Sequence, residues 1–237
     1  MSRRRLRAGW VGRVDYAAAT AIQEEIRAGI LDGREDDHLL LLEHPHVYTL
    51  GRNAASEDVL ASPAWLAERG VELHESDRGG QVTYHGPGQL VGYPVLDLKP
   101  ERRDVRRYVR DLQEVLIRTL ADVGVEATPG LDGLPVGVWV GPRKIASIGV
   151  HLRQWVTTHG FALNLAPDLS FFSGIVACGL PAAPITSVEE QNGAAPTPGA
   201  IAERVERHFR RVFDRYDDDS LAPSLPSACR MIAGGRR

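Results

Sequence analysis

The sequence predicts an α+β fold, a mixed and largely antiparallel sheet flanked by helices. Three observations carry this. Strand-like runs arrive in clusters while helical patterns arrive singly, which a strict β-α-β alternation would not give. The chain has 237 residues, 43% of them hydrophobic and 25% charged, enough for one large domain that buries roughly 70–75% of its unfolded surface without a disulfide or metal. Finally, the stretch RGGQVTYHGPGQLVGYPVLDL (78–98) sets five glycines among β-formers, so a strand–turn–strand there brings bare backbone close to something.

The elements follow in order. A short strand is expected over 10–14. A helix then runs from its N-cap Asp15 to Leu31, with Ala18, Ile22, Ile26 and Ile30 on one face. The apolar run 38–44 reads as a buried strand and 47–51 as another. Ser62 as N-cap with Pro63 at the first helical position predicts a short helix that ends at Gly70. A strand over 71–76 leads into the glycine segment, which bends at Gly86-Pro87-Gly88. The clearest helix starts at Asp104 and runs to about Val123. Val105, Tyr108, Val109, Leu112, Val115, Leu116, Leu120 and Val123 recur at three- and four-residue steps, and Gly124 stops it. Strands are expected at 125–128, 136–140, 144–153 and 155–165, separated by Gly/Pro turns. A last helix over 198–216 turns Ile201, Val205, His208, Phe209 and Val212 inward. No repeat or linker interrupts 10–216, so one domain is expected there, with a basic extension at 1–9 and a loose tail at 217–237.

Composition excludes several function classes. A net charge of −3 gives no reason to expect nucleic acid. No run of about 18 apolar residues predicts a membrane span, and the basic N-terminus leads into no apolar stretch of a signal peptide. The two cysteines, Cys178 and Cys229, stand in no metal-ligand spacing, which argues against a metal site and fits a reducing cytoplasm. Of the 28 basic residues only Lys99 and Lys144 are lysines. An arginine keeps its proton at working pH and a lysine can lose it, so a lysine in a buried setting is a candidate functional group.

Five features bear on chemistry, and each also has a purely structural explanation. The glycine segment offers bare N–H groups at its bend, or is a bulged hairpin; its spacings fit neither a P-loop nor a dinucleotide fingerprint. His85 sits at that bend. Cys178, between an apolar approach and Gly179, is either a buried structural thiol or a nucleophile that needs a neighbouring base or cation. Lys144 opens a strand just after a turn. The arginines of 102–110 lie beside the apolar stripe of their helix, as a solvated face or as a docking surface for an acidic partner.

The order of three segments closely resembles the lipoyl(octanoyl) transferases, the octanoyl-acyl-carrier-protein:protein octanoyltransferases of lipoate biosynthesis. They are RGGQVTYHGPGQLVGYPVLDL, KIASIGVHLRQWVTTHGFALNL and ACGLPAAPITS, and the resemblance covers roughly 10–216. It implies the fold shared by lipoate ligases and biotin protein ligases. It implies transfer of an octanoyl group from octanoyl-acyl carrier protein to a lysine ε-amine on lipoyl domains or the glycine-cleavage H protein, without ATP. Apart from the resemblance, a monomer without cofactor is expected. By the resemblance Cys178 is the acyl-thioester nucleophile and Lys144 its partner, as base or as ion-pair cation. Arg78, Gly79, Gly80, Gln81, Val82, Thr83, Tyr84 and His85 would line the acyl pocket. Ser147, Ile148 and Gly149 would join them, with Gly160, Phe161 and Ala162. Two other readings stand beside it: an ATP-dependent lipoate or biotin-type ligase, which needs no cysteine, and a non-catalytic binding protein for acyl carriers or lipoyl domains. Under the transferase reading Gly80→Val should weaken transfer more than folding.

Overall fold

The computed structural model describes residues 5–131, 133–177 and 184–214. Its larger sheet has six strands in the order β1-β2-β6-β9-β8-β7: β1 (Leu6–Arg13), β2 (Asp37–Glu43), β6 (Gln89–Val95), β9 (Val156–Asn164), β8 (Arg143–Arg153) and β7 (Gly137–Val140). Only β1 and β2 pair in parallel; every other neighbour in this sheet is antiparallel. A second sheet orders β4 (Glu72–Glu75), β3 (Val47–Leu50) and β5 (Val82–His85). The mixed, largely antiparallel sheet with flanking helices is thus the architecture found.

The run LLLL in β2 shows why the large sheet needs cover on both sides. Side chains alternate along a strand. Leu39 and Leu41 enter one core with Leu112, Val115 and Leu116 of α3 (Val105–Ala121) and Val205 and Phe209 of α5 (Pro198–Phe213). Leu40 and Leu42 enter another with Ile22, Ile26 and Ile30 of α1 (Tyr16–Leu31). Each such side chain contributes about 1.5–3 kcal/mol on burial. The small sheet has its own core, in which Tyr48, Val82 and Tyr84 pack with Phe171 and Ile175. The short helix α2 (Pro63–Glu68) is capped as expected, Ser62 Oγ accepting from the Trp65 N–H at 3.2 Å. Asp104 caps α3 by accepting from the Arg107 N–H at 3.0 Å.

Several expectations are corrected. The first strand begins at Leu6 rather than at residue 10, because Leu6 and Ala8 are buried and pair with β2; part of the presumed extension 1–9 therefore belongs to the sheet. The run 125–128 forms no strand, and only Thr128 bridges to Trp139. Ala19 rather than Ala18 is buried in α1, and Val105 is 42% exposed at the first turn of α3. The last helix stops at Phe213, where Asp214 takes a left-handed conformation. A short helix over Val188–Asn192, α4, was not expected; five residues are too few for a periodicity to show.

Candidate active site

A cavity of about 310 Å³ runs along β8 and β9 past the end of β7. Its floor is low because small residues face each other across the two strands: Ser147 opposite Ala162, and Gly149 opposite Gly160. The segment before β5 forms the opposite wall. There the Gly79 N–H donates to the Val150 carbonyl at 2.9 Å. A Cβ on Gly149 would lie 2.9 Å from the Gly79 carbonyl oxygen, so the two backbones meet this closely only through glycine.

Gly80 has φ +91°, a conformation that costs an L-residue roughly 1–2 kcal/mol. Its substitution is therefore not the clean probe the sequence suggested. Gly80→Val should lower both the urea midpoint and any activity, and a variant with wild-type stability would contradict the strained turn.

Arg78, Gly79, Gly80, Gln81, Val82, Thr83 and His85 all line the cavity, as do Lys144, Ser147, Ile148, Gly149, Gly160, Phe161 and Ala162. Tyr84 does not. It points to the other face of β5 from Thr83 and His85, where its ring stacks on Phe171 at 5.0 Å and its hydroxyl is hydrogen-bonded to His46 Nδ1 at 2.8 Å. Tyr84 is a core residue of the small sheet, a consequence of strand alternation.

Lys144 is 3% exposed at the end of the cavity where β7 stops. Its stem fits because the residue alongside is glycine: a Cβ on Gly137 would fall 2.2 Å from Lys144 Cε. Its Nζ lies 5.4 Å from the centroid of the Trp139 ring. Its main chain is held on its free side, the N–H donating to Pro184 O at 2.8 Å and the carbonyl accepting from the Thr186 N–H at 2.9 Å.

Cys178 lies outside the described residues, as do Gly179 to Ala183. The residues bracketing them are placed. Ala177 is buried, the preceding Val176 N–H donates to Asp58 O at 2.7 Å, and Pro184 is the residue bound to Lys144.

The polar groups in and behind the rest of the wall are buried and hydrogen-bonded. The Arg78 guanidinium is buried and fixed, donating to the Thr49 carbonyl at 2.6 Å, Thr49 Oγ1 at 2.8 Å and the Gly79 carbonyl at 3.1 Å. His44 Nε2 is hydrogen-bonded to the Tyr93 hydroxyl at 2.7 Å, and the His85 ring stacks against Tyr16 at 6.4 Å. Burial pushes the His44 pKa down to about 4, and burial, with His44 nearby, pushes that of His85 well below the ordinary value. Burial also lowers the His159 pKa against the opposing pull of Asp77, to which its Nε2–H donates at 2.7 Å. Burial acts to raise the Asp77 carboxyl, but the His159 hydrogen bond and the charges of His159, His151 and Arg52 together outweigh it and hold that pKa below the ordinary value.

A histidine with a lowered folded pKa contributes its full stability above the unfolded value near 6.5. That contribution is lost as pH falls from 6.5, because the unfolded chain takes up the proton first. His44 alone should take on the order of 3 kcal/mol from the folding free energy between pH 7 and pH 4. Urea unfolding at stepped pH checks this. A flat profile between pH 6.5 and 4.5, above the carboxylate range, would contradict the neutral buried cluster.

Sequence reasoning missed Tyr16, Tyr93, Val109, Pro135, Val136, Val150 and His159 as lining residues. Of these only His159 carried a signal, a histidine beside glycine in a strand, and its positive φ of 56° is visible only in three dimensions.

The model of the lipoyl protein ligase A/B catalytic domain matches residues 15–210. The chain belongs to this family. An octanoyltransferase of Solibacter usitatus (strain Ellin6076) is 54% identical over 204 residues, covering 86% of this chain and 91% of that protein. Among solved structures, a T. acidophilum protein described as a lipoate protein ligase, with lipoic acid bound, superposes with TM-score 0.76 at 18% identity. The match covers 97% of this chain and 93% of the other. Lipoate-protein ligase A bound with ATP gives TM-score 0.73 at 17% identity, over 98% and 93% of the two chains. These two likenesses establish the lipoate-ligase fold, and a fold does not choose the chemistry by itself.

Proposed function

We propose that the protein transfers an octanoyl group from octanoyl-acyl carrier protein to the lysine ε-amine of lipoyl domains and the glycine-cleavage H protein, in the cytoplasm, as a monomer. Cys178 is the nucleophile. Its thiolate attacks the donor thioester carbonyl, the Cys178 acyl–sulfur bond forms, and the carrier thiol leaves with a proton. The acceptor amine then attacks the acyl-cysteine, an amide forms, the amine gives up a proton and the Cys178 thiolate is released. One thioester replaces another in the first step, so that step is nearly balanced; amide formation makes the second downhill.

The observation that carries this reading is the setting of Lys144. A lysine that is 3% exposed stands at the end of an apolar-lined cavity. It is bonded through its backbone to Pro184, six positions after Cys178. That arrangement supports Lys144 as the partner that takes the thiol proton or stabilises the thiolate. The high identity to an octanoyltransferase supports the acyl group and the reaction class.

The test is an acceptor assay. Apo lipoyl domain is incubated with the protein and either octanoyl-acyl carrier protein without ATP, or octanoate with ATP. Octanoylation in the first mixture alone is expected. Octanoylation in the second alone would assign the chain to the adenylating branch, and octanoylation in neither would leave a binding module.

A further inference from the structure

The mouth of the cavity carries positive charge where a helix is least suited to hold it. Val136 lines the cavity and is 51% exposed; Leu131, on the same loop, is 81% exposed. The loop is fixed to α3 by Gln113, whose amide donates to the Pro129 carbonyl at 3.3 Å and to that of Gly137 at 2.9 Å. One turn earlier on α3, Val109 also lines the cavity, and Val105 stands exposed a further turn back. Arg106 and Arg110 flank this stripe, since residues three and four apart share a helix face. Both are exposed, as are Arg103 and Arg107.

These cations sit at the start of α3, where unsatisfied N–H groups make the helix end positive and where anions, not cations, are stabilising. The first turn holds no acidic side chain. The Asp104 carboxylate is engaged in capping, and Asp111 accepts from Arg102 at 2.6 Å. Arg102 also lies over the Phe213 ring, so this member of the sequence-predicted basic face belongs to the α3–α5 packing. The chain as a whole is acidic, with net charge −3. Positive charge gathered at the start of a helix beside the cavity, against the overall sign of the chain, fits a surface that meets an acidic partner.

We infer that this rim is the docking face for the acyl carrier donor. An acidic protein domain sets its carboxylates against Arg103, Arg106 and Arg110 and an apolar contact against Leu131 and Val136, so that its acyl thioester enters beside Lys144. The inference rests on the transfer reaction proposed above and adds the surface that admits its protein substrate.

The experiment compares two donors on one variant, Arg106→Glu/Arg110→Glu. With octanoyl-acyl carrier protein, kcat/KM should fall by about tenfold or more at low salt and lose most of its salt dependence. With the small neutral donor octanoyl-N-acetylcysteamine, the rate should stay within about twofold of wild type, because no protein docks. The melting temperature should not fall, since anions replace cations near a helix N-terminus. An equal loss with both donors, or no loss with the carrier, would overturn the docking face. Wild-type protein inactive with both donors would overturn the transfer reaction itself, and the docking face with it.

Discussion

Cys178→Ala is expected to abolish octanoyl transfer, with kcat falling on the order of 10⁴-fold or more, while folding is unchanged. Removing a covalent nucleophile forces direct attack of the acceptor amine on the carrier thioester, without the divided barrier that an acyl-enzyme provides. Cys178→Ser should be nearly as inactive: a serine hydroxyl is a far weaker nucleophile than a thiolate, and an oxyester is harder for an amine to open. Steady-state turnover of both variants, with urea unfolding as the control, checks this. Near-normal turnover by the alanine variant would remove the covalent route and favour either the ligase or the binding-module reading.

The second large effect is expected at Lys144. Lys144→Met keeps the length of a stem that fits beside Gly137 and removes the amine. Turnover should fall by about 10²–10⁴-fold, the range for loss of a positioned acid–base group. The reactivity of Cys178 should change with it. The pH profile of iodoacetamide alkylation should move upward by about one unit or more in the variant, toward the free-thiol value near 8.5. An unchanged profile would separate Lys144 from the thiol. Lys144→Arg distinguishes the two roles open to the lysine. Under the base role it loses as much as methionine, because guanidinium offers no accessible proton acceptor. Near-normal turnover would leave only the ion-pair role.

Much of the fold was legible because its signals are local. The three-and-four spacing of Leu112, Val115 and Leu116 requires a helix, and LLLL in β2 requires a strand covered on both faces. Asp104 and Ser62 announce helix starts through caps that the structure contains. What was not legible depends on pairing. Residues 6–9 join the sheet because β2 lies beside them, and 125–128 fails as a strand because only Thr128 finds a partner. The division of β5 and β6 between two sheets follows from long-range contacts that no window of sequence records.

The same contrast holds at the site. Glycine spacing signalled a backbone approached closely by something, and Gly79 against Val150 and Gly149 is such an approach. Alternation separates Tyr84 from its neighbours Thr83 and His85, which the family resemblance grouped in one pocket lining. Tyr16, Tyr93 and Val136 come to the cavity from three distant parts of the chain, and nothing local to them marks it.

The most direct test of the account is the intact mass of the protein after mixing with octanoyl-acyl carrier protein in the absence of ATP and quenching in acid. One added octanoyl group, released by hydroxylamine and missing from Cys178→Ala, is expected. An unmodified mass without ATP, together with transfer from octanoate when ATP is supplied, would contradict the cysteine thioester and place the chain with the adenylating ligases.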